Sequence, residues 1–302
     1  MENIRDGVWA TMITPFSEDG KIDYGGVDIL VEWYINNGVD GIFGVCQSSE
    51  MFWLSAKERL DLAKHVIKAA GGRTEVIVSG NVEQDLRLQI KEARLLAELG
   101  PKAVVFVSNR LEDEGVETEF LKSVDEIIKE MPEQMPIGIY ECPHPKKRLL
   151  SEAECAYLAK SGRFAFLKDT SCDAAMMERR AAAVAGSPFK LYNANAATLY
   201  QSLKSGYSGY CGVMANYHPE LYVWLCKNLR DERAKRLEKY LGLMSVMECR
   251  AYPQSAKRYL KLFENLDINH FCRSQKAPPA SSVDLELGAF YEVSRELEEF
   301  VK

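Results

Sequence analysis

The sequence predicts an α/β fold: a closed (β/α)8 barrel of the TIM type, followed by a C-terminal helical extension. Three observations carry this reading. Eight short apolar runs alternate with amphipathic stretches over roughly the first 215 residues, as expected of strands buried on both faces and covered by helices. No linker-like tract rich in Pro, Gly and Ser divides that stretch. The turn after the first run, Thr14-Pro15-Phe16-Ser17, also lacks the glycines that an open doubly wound sheet usually carries there.

The strand candidates are 8–14, 41–46, 75–79, 103–107, 137–140, 165–168, 190–193 and 209–213. Between them, apolar residues recur at helical spacing. Ile29, Leu30, Trp33 and Tyr34 form one stripe, and Leu60, Leu62, Ala63, Val66 and Ile67 the next. Leu86, Ile90, Ala93, Leu95 and Leu96 follow, then Phe120, Val124, Ile127 and Ile128. Two helix starts are marked by a serine with a glutamate three residues on, Ser55 with Glu58 and Ser151 with Glu154, each a capping box. The barrel is assigned to 1–216. Beyond it the strand pattern stops, and 217–229, 231–248, 251–266 and 284–301 read as helices, with a polar break containing prolines at 273–282. These helices are too few and too apolar to close a core alone, so 217–302 reads as an extension of the same domain.

Composition narrows the function. Apolar residues make up 47% and charged residues 27%, the profile of a soluble globular chain. A net charge of −6 without a basic cluster argues against nucleic acid or an anionic membrane as partner. No apolar stretch is long enough to cross a bilayer, and MENIRDGVWA has no apolar core flanked by basic residues, so a cytoplasmic protein is expected. The eight cysteines contain no C-x-x-C pair; most lie among apolar neighbours and read as small buried thiols in a reducing compartment, with no metal site expected.

In such a barrel the C-terminal ends of the strands share one mouth. Those ends carry Thr14, then Gln47-Ser48-Ser49-Glu50, then Ser108-Asn109-Arg110, Tyr140, Lys168, Asn193 and, near Cys211, the stretch 212–216. Lys168 closes the apolar run Phe164-Ala165-Phe166-Leu167. A primary ammonium at such a place loses hydration, which favours the neutral amine, and a neutral amine attacks a ketone. A lysine that simply reaches solvent at its strand end is the plainer alternative. Tyr140, one strand earlier, is a plausible proton carrier beside an amine that forms and hydrolyses an imine. Arg110 is a candidate for a substrate carboxylate or phosphate. Asn193 and Cys211 complete the candidate substrate contacts. Glu50 is expected to orient the loop before it, and His65 and His218 to be structural or solvated. His144, close after Tyr140, is expected either at the pocket rim or as a satisfied loop histidine.

Five segments in order resemble the dihydrodipicolinate synthase/N-acetylneuraminate lyase family: Thr14-Pro15-Phe16, the stretch 38–42 leading to Ser48-Ser49-Glu50, Glu58-Arg59-Leu60, Tyr140-Glu141-Cys142-Pro143, and Leu167-Lys168-Asp169-Thr170-Ser171. The resemblance implies that Lys168 forms a Schiff base with pyruvate or a larger 2-oxo acid, needing no cofactor beyond that covalent imine. It implies that Tyr140 shuttles protons, and that Ser48 with the amide of Ser49 holds the substrate carboxylate. The expected assembly is a homodimer or homotetramer.

The pattern also departs from the family. Gln47 stands where the family has a hydroxyl residue that relays protons to the tyrosine, and a primary amide is a poor proton wire. Ser108-Asn109-Arg110 supplies no phenol where the synthases have a tyrosine pair. The place of their rim arginine falls on Pro145, with Lys146, Lys147 and Arg148 just beyond. Lysine-biosynthetic activity is therefore not expected. The expected reaction is reversible aldol cleavage of a hydroxy-keto acid. The alternatives are an imine-dependent dehydratase or hydratase of a keto-deoxy sugar acid, and a catalytically impaired 2-oxo-acid sensor. Specificity is expected to reside in the loops 108–116 and 142–150.

Overall fold

The computed structural model of the chain describes residues 3–112, 117–275 and 280–302. Part of the 108–116 loop, residues 113–116, therefore lies outside the described residues. Eight parallel strands close a barrel in chain order: β1 (Gly7–Thr11), β2 (Gly41–Phe43), β3 (Glu75–Ser79), β4 (Ala103–Val107), β5 (Ile137–Tyr140), β6 (Phe164–Asp169), β7 (Lys190–Asn193) and β8 (Gly209–Tyr210). β8 pairs with β1 through Gly7↔Gly209 and Val8↔Tyr210, which completes the ring. Helices α1 (Tyr24–Asn36), α2 (Ala56–Ala70), α3 (Leu86–Ala97), α4 (Glu117–Glu130), α5 (Glu152–Ser161), α6 (Ala174–Val184), α7 (Leu199–Lys204) and α8 (Pro219–Lys227) follow the strands. The extension adds α9 (Ala234–Met244), α10 (Gln254–Leu262) and α11 (Ser282–Val301). No described helix is long and apolar enough to cross a membrane.

Aromatic rings fill the barrel interior. Phe166 stacks on Tyr192 with centroids 4.5 Å apart, and the edges of Trp9 and Phe43 meet Phe166 at 5.5 and 6.3 Å. This filling leaves no room at Gly41, where a Cβ would sit 2.3 Å from the Trp9 ring. Both capping boxes form, and α2 and α5 end on Gly71 and Gly162 in the left-handed region that favours glycine.

Three expected strands are shorter than their apolar runs. Residues 12–14, 44–46 and 211–213 lie past the strand ends although largely buried, with Met12, Gly44, Val45 and Cys211 still bonded to a neighbouring strand, because apolarity reports burial and not a full strand. Ser49 supplies what the ladder does not for the first two: its hydroxyl donates to Met12 O and Gly44 O, and its oxygen accepts from Cys46 N. β6 is longer than expected by one residue at each end. The expected helix 231–248 breaks after Met244 into a 3-10 turn, Ser245–Cys249. Helix α8 packs on β1 and β8 as the barrel's own eighth helix, so the boundary at 216 cuts through the last βα unit. Most of the cysteines are buried as expected, Cys46, Cys142, Cys155, Cys211 and Cys272, while Cys172 and Cys249 are exposed and Cys226 is half-buried.

Candidate active site

The C-terminal ends of the strands open into a cavity of about 460 Å³, within the range of small-molecule sites. Lys168 and Tyr140 lie on its wall, and the parallel register explains why: β5 and β6 pair Tyr140 directly with Lys168, so both side chains enter the same mouth. Lys168 is 3% exposed, and its Nζ lies 4.4 Å from the centroid of the Tyr140 ring. The Tyr140 hydroxyl donates to Gln47 Oε1 at 3.4 Å, and Cys142 Sγ donates to the same oxygen at 3.2 Å. Burial, reinforced by the nearby Cys142 and Cys46 thiols, pushes the Tyr140 phenol well above its ordinary value. The amide of Gln47 thus occupies the end of the tyrosine's hydrogen bond as an acceptor only.

The residues that follow Tyr140 and Lys168 point away from the mouth, as strand alternation requires. Glu141 and Asp169 meet there on Arg180, which is fully buried: Arg180 bonds Glu141 Oε1 at 2.7 Å and Asp169 Oδ2 at 2.5 Å. Tyr207 donates to Asp169 at 2.6 Å, and Glu141 also accepts from Leu150 N and Thr170 N. Burial raises the Glu141 carboxyl, and the neighbouring Asp169 carboxylate adds to this against the pull of Arg180. A satisfied buried network of this kind fixes the ends of β5 and β6 relative to each other.

The other candidate residues separate. Gln47 and Ser48 line the cavity, and Ser48 lies beside the Tyr252 hydroxyl. Ser49 is not in the lining: its side chain ties the loop, and its amide closes a turn on Cys46 O at 3.1 Å. Arg110 faces another surface recess and packs over Phe52 at 5.5 Å. Asn193 is wholly buried and spends its amide on Thr198 and Ser202, while its Oδ1 accepts from Asn195 N. Cys211 is wholly buried near Lys168 and does not line the cavity. Asn109 serves the loop after Tyr140, donating to the carbonyls of Cys142, His144 and Lys146. His144 is exposed against Phe52 and Trp53.

Rim charge comes from Lys147, which lines the cavity and donates to Thr170 O at 2.8 Å. Arg148 is unavailable to it, held by Glu112 and Glu154 and stacked 3.8 Å from the Phe120 ring. The extension supplies the part of the wall that sequence reasoning missed: Glu248, Tyr252, Pro253, Ser274 and Gln275. The available signal was the break in helical spacing near 249–253, which frees these side chains from a helix face. Glu50 acts between the two parts of the chain. It pairs with Lys257 at 2.9 Å and accepts from Ser274 N at 2.7 Å, so the 47–50 loop is fastened to the extension. Among the described residues no group of three or more His, Cys, Asp or Glu side chains is placed to hold a metal.

A closed barrel with a buried strand-end amine and a phenol against it has the layout of a lyase that works through a covalent imine. Comparison with known proteins agrees: residues 5–290 match the model of the Dihydrodipicolinate synthetase family, and the chain belongs to that family. A 4-hydroxy-tetrahydrodipicolinate synthase of Laribacter hongkongensis is 28% identical over 261 residues, covering 83% of this chain and 86% of its own. One from Fervidobacterium nodosum is 27% identical, covering 85% and 87%. Among solved structures, a family member from E. coli K12 in complex with pyruvate superposes with a TM-score of 0.85 at 20% identity, covering 96% of this chain and 98% of its own. A dihydrodipicolinate synthase from Acinetobacter baumannii, also complexed with pyruvate, gives 0.85 at 21%, covering 96% and 99%. The protein is an enzyme of this family, in the lyase/aldolase class.

Proposed function

We propose that the protein cleaves, reversibly, the carbon–carbon bond of a hydroxylated 2-oxo acid and releases pyruvate through an imine on Lys168. The observation that carries this reading is the buried Lys168 amine, 4.4 Å from the ring of Tyr140 at the mouth of the barrel. The amine adds to the keto carbon, and Tyr140 hands protons to and from the carbinolamine as water leaves. Tyr140, having given its proton to the departing water, takes the proton of the substrate hydroxyl as the iminium draws the electron pair of the breaking bond, leaving an enamine on Lys168 and an aldehyde. Protonation of the enamine and hydrolysis release pyruvate and restore the amine. Ser48 is the substrate-carboxylate contact, a hydroxyl that adds no competing cation.

The pyruvate in two of the related structures supports a 2-oxo acid as the ligand class. The curated relatives are synthases, yet Gln47 and Pro145 stand here in place of the relay and the rim arginine, which favours cleavage of a hydroxy-keto acid over that condensation. Gln47, as an acceptor without a proton to pass on, also favours a second reading, a sensor that forms the imine but does not turn over. A screen of 2-keto-3-deoxy sugar acids, sialic acid and other hydroxy-keto acids separates the two. Pyruvate release from one of them supports the lyase; a dehydrated keto acid in its place points to the dehydratase; no turnover across the panel favours the sensor.

A further inference from the structure

Glu248 is a cavity-lining carboxyl that the mechanism above leaves unused. It sits in the 3-10 turn Ser245–Cys249, which packs on the turn Val213–Asn216 that follows β8. Its position is therefore across the mouth from Tyr140, which enters from β5. Glu248 lines the same cavity as Lys168, and the two are close enough for their charges to interact. Its Oε1 is shut off from solvent and finds no hydrogen-bond partner among the described residues. A buried oxygen left without a partner costs stability and calls for an explanation, and a catalytic role is one such explanation.

We propose that Glu248 is a catalytic acid–base residue that moves the proton at the carbon next to the imine, and this rests on the reading of Lys168 as the imine-forming amine. In the pyruvyl iminium, the Glu248 carboxylate takes a proton from the methyl carbon. The C–H electron pair becomes the enamine double bond, and the iminium π pair moves onto nitrogen, which becomes neutral. In the reverse direction the Glu248 acid returns the proton to that carbon. Tyr140 keeps the steps in which the carbinolamine forms and loses water. This division takes the carbon proton from the extension and leaves the tyrosine, with Gln47 as its acceptor, only the steps at the carbinolamine.

The surrounding groups leave the task to Glu248. Burial pushes the phenols of Tyr210 on β8 and Tyr222 on α8 well above their ordinary range, and that of Tyr217 to the same side. Burial also raises the Tyr252 phenol and the Cys172 thiol. Lys147 on the β5 side is bonded to Thr170 O. Burial raises the Glu248 carboxyl to about 7 while the Lys168 charge opposes the rise, so it both takes and returns a proton near neutral pH.

Pyruvate alone tests this, since no aldehyde partner is required. In D2O the wild-type protein is expected to exchange the pyruvate methyl hydrogens for deuterium, read by proton NMR, with a rate that rises with pH through about 7. Glu248→Gln is expected to slow the exchange by about 10²-fold or more, the scale of a positioned acid–base group, and to flatten that rise. Glu248→Asp, which keeps a carboxyl, is expected to restore part of the rate. Borohydride should still trap pyruvate on Lys168 in both variants, which also shows that the site is folded. Exchange in Glu248→Gln within about threefold of wild type overturns the proposal. So does loss of the trapped adduct in that variant, or a wild-type adduct without exchange. Absence of any adduct in the wild type overturns instead the imine reading on which the proposal stands.

Discussion

Lys168 owes its orientation to its neighbours in sequence as much as to its own strand. Asp169 and Glu141, one residue beyond Lys168 and Tyr140, turn outward to the same buried Arg180, and alternation then sends the amine and the phenol inward together. The pair was legible in the sequence because a lysine ends an apolar run and a tyrosine ends the run before it. The roles of Asn193 and Cys211 were not, because a strand-end position does not tell whether a side chain reaches the mouth or is used up in the wall. Asn193 is used up by Thr198, Ser202 and Asn195. Tyr140→Phe removes the proton and keeps the ring beside Lys168. Turnover should fall by roughly 10²-fold or more while substrate binding persists, measured by steady-state kinetics on a substrate from the screen. An unchanged rate would assign the proton to water or another group.

Capping boxes and helical stripes placed α2 and α5 well, because those signals are local. The contribution of the extension is non-local and was hidden: nothing in the spacing of Glu50 or Lys257 shows that the two meet. They form an ion pair with exposures of 1% and 0%, and Lys257 also donates to Phe271 O at 2.7 Å. Lys257→Met leaves the Glu50 carboxylate buried without its cation and should cost about 3–5 kcal/mol in urea denaturation. Adding Glu50→Gln should recover part of that loss; equal losses in the single and double variants would show that the pair does not act as one. The join between α8 and α11 has its own pH signature. His218 at the start of α8 is wholly buried, with Nδ1 at 3.0 Å from Ser294 Oγ, and burial lowers its pKa from 6.5 to about 3. Below about 6.5 the unfolded chain takes up a proton that the folded one refuses, so stability falls by about 1.4 kcal/mol per pH unit as pH drops. The raised carboxyls of Glu141, Glu220 and Glu248 pull the other way in the same window, so the comparison must be between variants. His218→Asn should lose less stability than wild type between about pH 7 and 5, by roughly 2 kcal/mol. Parallel curves for the two proteins would remove His218 from the acid response.

At the scale of the molecule, the barrel carries the imine machinery and the extension closes the cavity over it. The barrel was legible because its strands are repeated, short and apolar; the closing wall was not, because its residues come from breaks between helices. Together they give a site that holds, among the described residues, a strand-end amine, the rim cation Lys147 and the carboxyl of Glu248. Under the proposed reading, Gln47 leaves no proton relay for condensation with an aldehyde that brings its own carboxylate. In a coupled assay with the downstream reductase, condensation of pyruvate with aspartate semialdehyde should be negligible, and Gln47→Thr alone should not restore it. Turnover near the enzyme-wide median of about 10 s⁻¹ would return the protein to the synthases.

The claim on which all of this rests is that the Lys168 amine is the nucleophile. Incubation with pyruvate and borohydride, followed by peptide mass spectrometry, tests it most directly. A single reduced pyruvyl adduct is expected on the peptide containing Lys168, absent from Lys168→Ala. An adduct on another lysine, or one that survives in Lys168→Ala, would contradict it.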